Sequence, residues 1–267
     1  MGQVFPAPRG KISGLFEHMR QASFHIPCRK APPDGLALWR MTKPAIFSPT
    51  YAAALALAAC SNPQEATSSD SGPSEESASA QDAFWQALSS HCGKAYAGAL
   101  VSDDAADADF VGAQMVIQVD ECSDTRITVP FHVKTPNESG EEWDRSRTWV
   151  FTRTDSGLRL KHDHRHSDGK SDAVTMYGGD TANAGSARAQ DFPVDAESVA
   201  MFEREGLSAS VTNVWTVEVD PAGTEGGTYA YQLNRTVEGG APEPRFFRVE
   251  VDLTQPVDAP PPAWGWE

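Results

Sequence analysis

Residues 147–166 read RTWVFTRTDSGLRLKHDHRH, and this stretch decides the fold. Apolar and polar side chains alternate on both sides of a short central segment, 155–157, which ends in Gly157. Alternation with a period of two is typical of a half-buried strand, and a short glycine-containing loop between two such strands predicts a β-hairpin. We therefore expect strands at 147–154 and 158–166, joined by a three-residue loop with Gly157 in a left-handed conformation.

The same alternation recurs on both sides of this hairpin. It predicts six further strands, at 94–101, 113–120, 125–133, 211–219, 228–235 and 245–253. Closely spaced strands joined by hairpin-like turns favour an all-β antiparallel meander over alternating strand-helix units. A lipocalin-like or calycin-like barrel would leave no free sheet edges, and a sandwich is the alternative.

Two short helices are expected to interrupt the strands. The first covers 83–91 after a cap at Asp82, and the second covers 196–205 after a cap at Asp195. Gly93 and Gly206 follow them, at the positions where helices commonly end in a left-handed residue. The globular domain is therefore predicted at 82–254, followed by a proline-rich tail at 255–267 that cannot form a regular helix or strand.

The segment before this domain carries an export signal. A lysine, Lys43, precedes the charge-free stretch AIFSPTYAAALALAA at 45–59, which ends in small residues before Cys60. A short positive region, an apolar region and a small-residue cleavage site make up a secretory signal, and this one is too short to span a bilayer as a stable helix. The alternative is a buried apolar helix that ends at a core cysteine.

Leu57-Ala58-Ala59-Cys60 resembles the lipobox of bacterial lipoproteins. The resemblance implies that the chain is cut before Cys60 and that this cysteine is acylated, as in proteins that carry diacylglycerol and palmitate. Two or more acyl chains give stable membrane anchoring where one would be marginal. Ser61 stands where the inner-membrane retention signal of this family usually has Asp, which favours the outer membrane, facing the periplasm.

The charge of the chain changes at Cys60. Seven Lys or Arg stand before it against two acids, whereas fifteen bases stand against thirty-five acids from Cys60 onward. We expect residues 1–40 to be an extension upstream of the true start at Met41, or else a long n-region. Residues 41–59 are then the signal peptide, and the run rich in Ser, Glu, Ala and Asp at 60–81 is a disordered tether.

The cysteines agree with an exported protein. Once Cys60 is lipidated, the domain keeps one pair, Cys92 and Cys122, and an even number of cysteines in an oxidising compartment favours a disulfide over two free thiols. Closing a loop of about thirty residues would stabilise the fold by about 3–4 kcal/mol in the chain-entropy model.

Three histidines carry the most suggestive chemistry. His162, His164 and His166 would share one face of a strand, and neutral imidazoles gathered in this way bind Zn²⁺ or Cu²⁺. Alternate residues of a strand lie about 7 Å apart, so three of them seldom reach one ion. A polar strand end is the alternative. The His-x-His-x-Asp-His motif of metallo-β-lactamase-like hydrolases is similar, but His166 stands where the motif has Asp and Ser167 stands where it has its last His, so that family is not indicated.

Other motifs point to no reaction. The acidic segment with Asp103, Asp104, Asp107 and Asp109 is predicted to be a solvated loop, with Ca²⁺ binding as the alternative. The segments DGKSD at 168–172 and YGGD at 177–180 are expected to form turns. Signatures of nucleophilic hydrolases, phosphate-binding loops and zinc proteases are missing, and a net charge of −15 argues against binding to nucleic acid.

The domain resembles uncharacterised secreted or lipoprotein domains of proteobacteria, on the segments 146–166 and 202–207. That resemblance implies no activity. Strand aromatics such as Trp149, Trp215 and Tyr231 are expected to pack the core rather than to form a ligand cage. Three functions follow: a non-enzymatic binding or structural module anchored to the membrane, a periplasmic metal protein centred on the three histidines, and a calycin-like carrier of a small apolar ligand. The protein or small-molecule partner is left open.

Overall fold

The computed structural model describes residues 75–134 and 142–266. Ten antiparallel strands form one continuous sheet. Their bounds are β1 Ala95–Leu100, β2 Met115–Gln118, β3 Arg126–Val133, β4 Asp144–Thr154, β5 Gly157–His164, β6 Tyr177–Asp180, β7 Ala189–Pro193, β8 Val214–Val219, β9 Thr228–Arg235 and β10 Arg245–Val257. All eight predicted strands are present, and the all-β fold is confirmed.

The sheet curls into a nearly closed barrel. Its strand order is β6-β5-β4-β3-β2-β1-β10-β9-β8-β7, so that the first and last strands pair and only β6 and β7 are left as edges. These two edges meet: Asp195 N donates to Gly178 O at 2.8 Å. A Cβ atom on Gly179 would lie 1.8 Å from the carbonyl oxygen of Pro193. Glycine is therefore needed at this contact between β6 and β7, which we call the seam. Because the two edge strands meet there, the architecture is a barrel rather than a sandwich.

In the described ranges, two helices and two short 3₁₀ helices accompany the strands. They are α1 Glu75–Ser89, η1 Ala105–Phe110, α2 Ala196–Arg204 and η2 Ser208–Thr212. The cap of α2 is as predicted, because the Asp195 side chain accepts a hydrogen bond from Ser198 N, and Gly206 follows with a φ of 75°. Within the described residues, no helix is both long and apolar enough to cross a membrane.

Helix α1 begins earlier than predicted. Asp82 lies inside it and contacts Arg153 instead of capping the helix, so residues 75–81 of the predicted tether are helical. The sequence EESASAQ at 75–81 contains no glycine or proline that would stop a helix from extending. The predicted extension, the signal peptide, Cys60 and the remainder of the tether lie outside the described residues.

Strands β6 and β7 were not predicted. The sequence YGGD at 177–180 predicts a turn, because paired glycines favour turns, but the structure has a strand there, in which the glycines allow the close approach of neighbouring backbone. The predicted three-residue hairpin loop is also wrong, since Thr154 pairs with Gly157 and only two residues turn. Strand β10 continues through Pro256 to Val257, where its pairing with β1 shifts register, and proline is tolerated at such an irregularity.

Alternate side chains of every strand fill the barrel, and α1 closes one end of it. Phe84 and Leu88 on α1 are fully buried, and the ring of Phe84 lies 6.5 Å from that of Phe151 on β4. The Gln81 side chain donates to Thr181 Oγ1, just beyond β6, at 3.0 Å. At this end of the barrel β4 ends and β5 begins.

The predicted disulfide is present between Cys92, just after α1, and Cys122, between β2 and β3, with a Cα–Cα distance of 6.2 Å. It ties the closing helix to the wall of the barrel.

The proline-rich tail packs against the outside of the barrel. Trp264 N donates to Arg145 O on β4 at 3.1 Å, and Trp266 Nε1 donates to Asp163 Oδ2 on β5 at 3.0 Å. Ala263, just before Trp264, is only 1% exposed. The tail therefore covers the outer face of β4 and β5.

Candidate functional site

The end of the barrel opposite α1 carries buried charge. Because neighbouring strands are antiparallel, the start of β4, the end of β9 and the start of β10 meet there. Arg147, Arg235 and Arg245 occupy the same alternation as the inward-facing Trp149 and Tyr231, so they lie on the inner face. We call this the arginine end.

Each guanidinium has a different partner. Arg147 Nη1 donates to Asp144 Oδ2 at 2.6 Å. Arg235 Nε donates to the amide oxygen of Asn213 at 2.9 Å, a neutral partner. Arg245 Nη2 donates to Asp107 Oδ1 on η1. The interior of the arginine end thus holds three guanidiniums and two carboxylates.

The two carboxylates differ in electrostatic environment. Burial would raise the pKa of Asp144, but the charge of Arg147 and hydrogen bonds from Arg147 and Ser146 outweigh it and hold the pKa at about 2. Burial raises the pKa of Asp107 to about 6, against the opposing effect of Arg245. Only Oδ1 of Asp107 is hydrogen bonded, because its buried Oδ2 has no partner. Asp107 is therefore the less well stabilised anion.

The 3₁₀ helix η1 closes the arginine end. It inserts Asp107, which is fully buried, and Phe110, whose ring lies 5.5 Å from the Phe247 ring in a T-shaped contact. The Arg147 guanidinium carbon lies 5.8 Å from the centre of the Phe110 ring. The prediction of a solvated acidic loop is therefore wrong at one position: Asp103 and Asp109 are exposed, but Asp107 points inward.

The three histidines do not share one environment. His162 is inside the barrel, with Nδ1 3.0 Å from Tyr177 O and Nε2 2.8 Å from the Tyr231 hydroxyl. His164 Nε2 lies 3.0 Å from the Tyr177 hydroxyl. His166 follows the end of β5 and is half exposed, with Nε2 3.7 Å from Asp172 Oδ2.

The surroundings of His162 keep its imidazole neutral. A carbonyl accepts only, so Nδ1 carries the proton and Nε2 accepts from the Tyr231 hydroxyl. Burial lowers the pKa of His162 to about 3, and burial likewise lowers that of His164 well below its ordinary value. Both ring nitrogens of His162 are thus engaged by the protein itself.

The predicted three-histidine metal site is not assembled. In the part of the chain that the structure describes, no group of three or more His, Cys, Asp or Glu side chains is placed to hold a metal ion. His162 is held between Tyr177 and Tyr231, and His166 lies beyond the strand. His132 on β3 is fully buried, and neither of its ring nitrogens has a hydrogen-bond partner among the described residues.

Stacked aromatic side chains fill the barrel next to the arginine end. The Trp149 ring stacks on Tyr231 at 4.2 Å and on Phe131 at 5.0 Å, and it lies 6.0 Å from Tyr229. Strand aromatics therefore pack the core, as the sequence predicted. This packing does not favour a large apolar cavity of the kind that a carrier needs.

The arginine end was missed in the sequence. A signal was present, because Arg147 continues the inward alternation of Trp149 and Phe151, and Arg245 continues that of Phe247 and Val249. Arginines at strand ends are usually solvated, so that pattern was not interpreted as an interior site.

Comparison of the chain with protein-family models, curated proteins and solved structures finds no match.

Proposed function

We propose that this protein is a lipid-anchored envelope protein, held in the outer membrane and facing the periplasm, whose barrel acts by binding a partner rather than by catalysis. The lipobox that ends at Cys60 supports the anchor. The Cys92–Cys122 pairing is in keeping with an oxidising compartment.

The observation that carries the binding role is the charge inside the arginine end. Burying a charge is costly unless it is paired, and a barrel of this size can be filled with apolar side chains alone. Three inward guanidiniums face two carboxylates, and Arg235 is paired only with neutral groups among its hydrogen-bond partners. An excess of buried positive charge at one end suits a module that receives an anionic partner.

Acyl labelling tests the anchor. The full chain is expressed in a Gram-negative host with radiolabelled palmitate, beside the Cys60→Ser variant and a Cys28→Ser control. Cys28 precedes the proposed cleavage site, so its loss should not change labelling. We expect label in the wild type and in the control, and none in Cys60→Ser. Label that persists in Cys60→Ser would refute the anchor.

A melting screen tests the binding role. A ligand that binds the native state raises the melting temperature, by an amount that grows with its concentration over Kd. The full chain is screened against small organic anions at fixed ionic strength. Arg159→Gln is the control and should respond as the wild type does, because Arg159 lies on the outer face of β5, paired to Asp180. A rise with at least one anion class supports the binding role, and no rise with any of them contradicts it.

A further inference from the structure

The 3₁₀ helix η1 places a carboxylate and an aromatic ring in the arginine end of the barrel. Asp107 and Phe110 are three positions apart on η1, and both are buried while Asp109 between them is exposed. The carboxylate contacts Arg245, and the ring of Phe110 contacts both the guanidinium of Arg147 and the ring of Phe247. Two side chains of the protein thus occupy positions that a ligand of the same chemistry would fill.

The carboxylate of Asp107 forms only one of the two hydrogen bonds that it could form with Arg245. Carboxylates and guanidiniums pair most strongly through two parallel hydrogen bonds. Here Asp107 Oδ1 accepts from Arg245 Nη2, while Asp107 Oδ2 and Arg245 Nε are both buried with no hydrogen-bond partner among the described residues. Because Asp107 is attached to η1, its carboxylate cannot move freely relative to Arg245. A free carboxylate has no such constraint and can bind both nitrogens.

The guanidinium of Arg147 also carries a hydrogen-bond donor that no described residue satisfies. The Arg147 side chain is nine-tenths buried, and its Nε has no hydrogen-bond partner in the part of the chain that the structure describes. Phe110 lies beneath this guanidinium, an arrangement in which a cation is attracted to the face of an aromatic ring. Another aromatic ring in the place of Phe110 would keep that attraction and the contact with Phe247.

Withdrawal of η1 would leave the barrel ladders intact. Its backbone hydrogen bonds run within the same segment, from Asp107 N to Asp104 O at 2.9 Å and from Val111 N to Ala108 O at 3.3 Å. Burial also raises the pKa of Asp107 to about 6, so the internal anion gives up little stabilisation when it leaves. The stacked Trp149 and Tyr231 limit the depth of the site, so a ligand that replaces η1 has to be small.

We infer that η1 occupies a binding site for a small aromatic carboxylate, which binds Arg245 and stacks beside Arg147 by displacing Asp107 and Phe110. This inference rests on the proposed binding role and names the class of its ligand. When η1 has moved out of the barrel, the site is open to the ligand. When η1 is in place, Asp107 and Phe110 occupy the site and compete with the ligand.

Calorimetric titration of the full chain with 3-phenylpropionate tests the inference. We expect weak binding to the wild type and at least tenfold tighter binding to the double variant Asp107→Asn/Phe110→Ala, which removes the internal competitor. Adding Arg245→Gln to the double variant should abolish the gain. Asp109→Asn is the matched control, because this exposed carboxylate lies on the same 3₁₀ helix, and it should bind as the wild type does.

Two further probes separate the contributions of charge and ring. The neutral 3-phenylpropanamide and inorganic phosphate should each bind at least tenfold more weakly than 3-phenylpropionate to the double variant. Equal binding of the amide, or equal affinity of the acid for wild type and double variant, would overturn the inference. Phosphate binding as tight as that of the acid would instead show a general anion site and would also overturn it.

Hydrogen exchange on the wild type guards against a variant that fails to fold. Saturating 3-phenylpropionate should speed exchange of the amides of residues 105–110, because the ligand holds η1 out of the barrel. Slower or unchanged exchange there would contradict displacement. A chain that binds other organic anions in the melting screen but shows none of these effects would refute the ligand class and leave the binding role standing.

Discussion

Replacing His132 by leucine should make the protein less sensitive to acid. His132 on β3 is fully buried, and within residues 75–134 and 142–266 neither of its ring nitrogens has a hydrogen-bond partner. Burial, with a smaller effect from Arg145, lowers the pKa of its imidazole from 6.5 to about 4. The unfolded chain therefore binds a proton at mildly acidic pH that the folded chain refuses, and stability falls as the pH drops below 6.5.

The size of the effect follows from that shift. With a pKa of 6.5 in the unfolded chain and about 4 in the folded chain, His132 contributes almost nothing to the pH dependence at pH 7.5. At pH 5 it destabilises the fold by about 2 kcal/mol, since one pKa unit corresponds to about 1.4 kcal/mol. Leucine has no proton to bind, and it also relieves a buried polar group, whose cost is about 1–3 kcal/mol.

Urea denaturation of His132→Leu and of wild type at pH 7.5 and pH 5.0 measures this. The difference in the free energy of unfolding should favour the variant at both pH values and should grow by about 2 kcal/mol at the lower one. Ile127→Leu is the control, because Ile127 is a buried residue of the same strand without a titratable group, and its replacement should change the free energy of unfolding equally at both pH values. An identical loss of stability between the two pH values in wild type and His132→Leu would refute the reasoning.

Three further substitutions test the packing described above. Gly179→Ala should destabilise the barrel by about 1–3 kcal/mol, because its methyl group would lie 1.8 Å from a carbonyl oxygen of the opposite edge strand; urea denaturation measures it, and a neutral result would mean that the seam opens easily. Tyr231→Phe should cost about 1–3 kcal/mol at pH 7, since it removes the hydrogen-bond donor to His162 Nε2; an unchanged midpoint would contradict that bond. Trp266→Ala removes the hydrogen bond to Asp163 and should make the tail accessible to proteases while the strands stay protected; a tail still resistant to cleavage would contradict its docking through Trp266.

Most of the strands could be predicted because their signal is local. Most of the eight expected strands alternate apolar and polar residues, and such alternation follows from having one face in the core. Strands β6 and β7 lack it. β6 consists of Tyr177, two glycines and Asp180; it pairs with β5 and comes close to Pro193 across the seam, and no local pattern reveals either contact.

The candidate site was less predictable, because it depends on which side chains meet across the barrel. The sequence placed His162 and His164 on one face of a strand, and this is correct, but it could not show that Tyr177 and Tyr231 engage them. Nor could it show that Asp107 turns inward from an acidic segment, since its partner Arg245 lies 138 residues away. Local composition favours a solvated loop there, and only the long-range ion pair decides otherwise.

The pairing of β1 with β10 also constrains the order in which the strands of the barrel can pair during folding. Ala95 is opposite Val257 and Leu100 is opposite Val249, so the ladder joins segments about 150 residues apart. Contacts of such large sequence separation form slowly, because a long loop must close before any of them is gained. Until β10 has formed, β1 is paired on one side only, with β2, and its other edge is open to pairing with another chain.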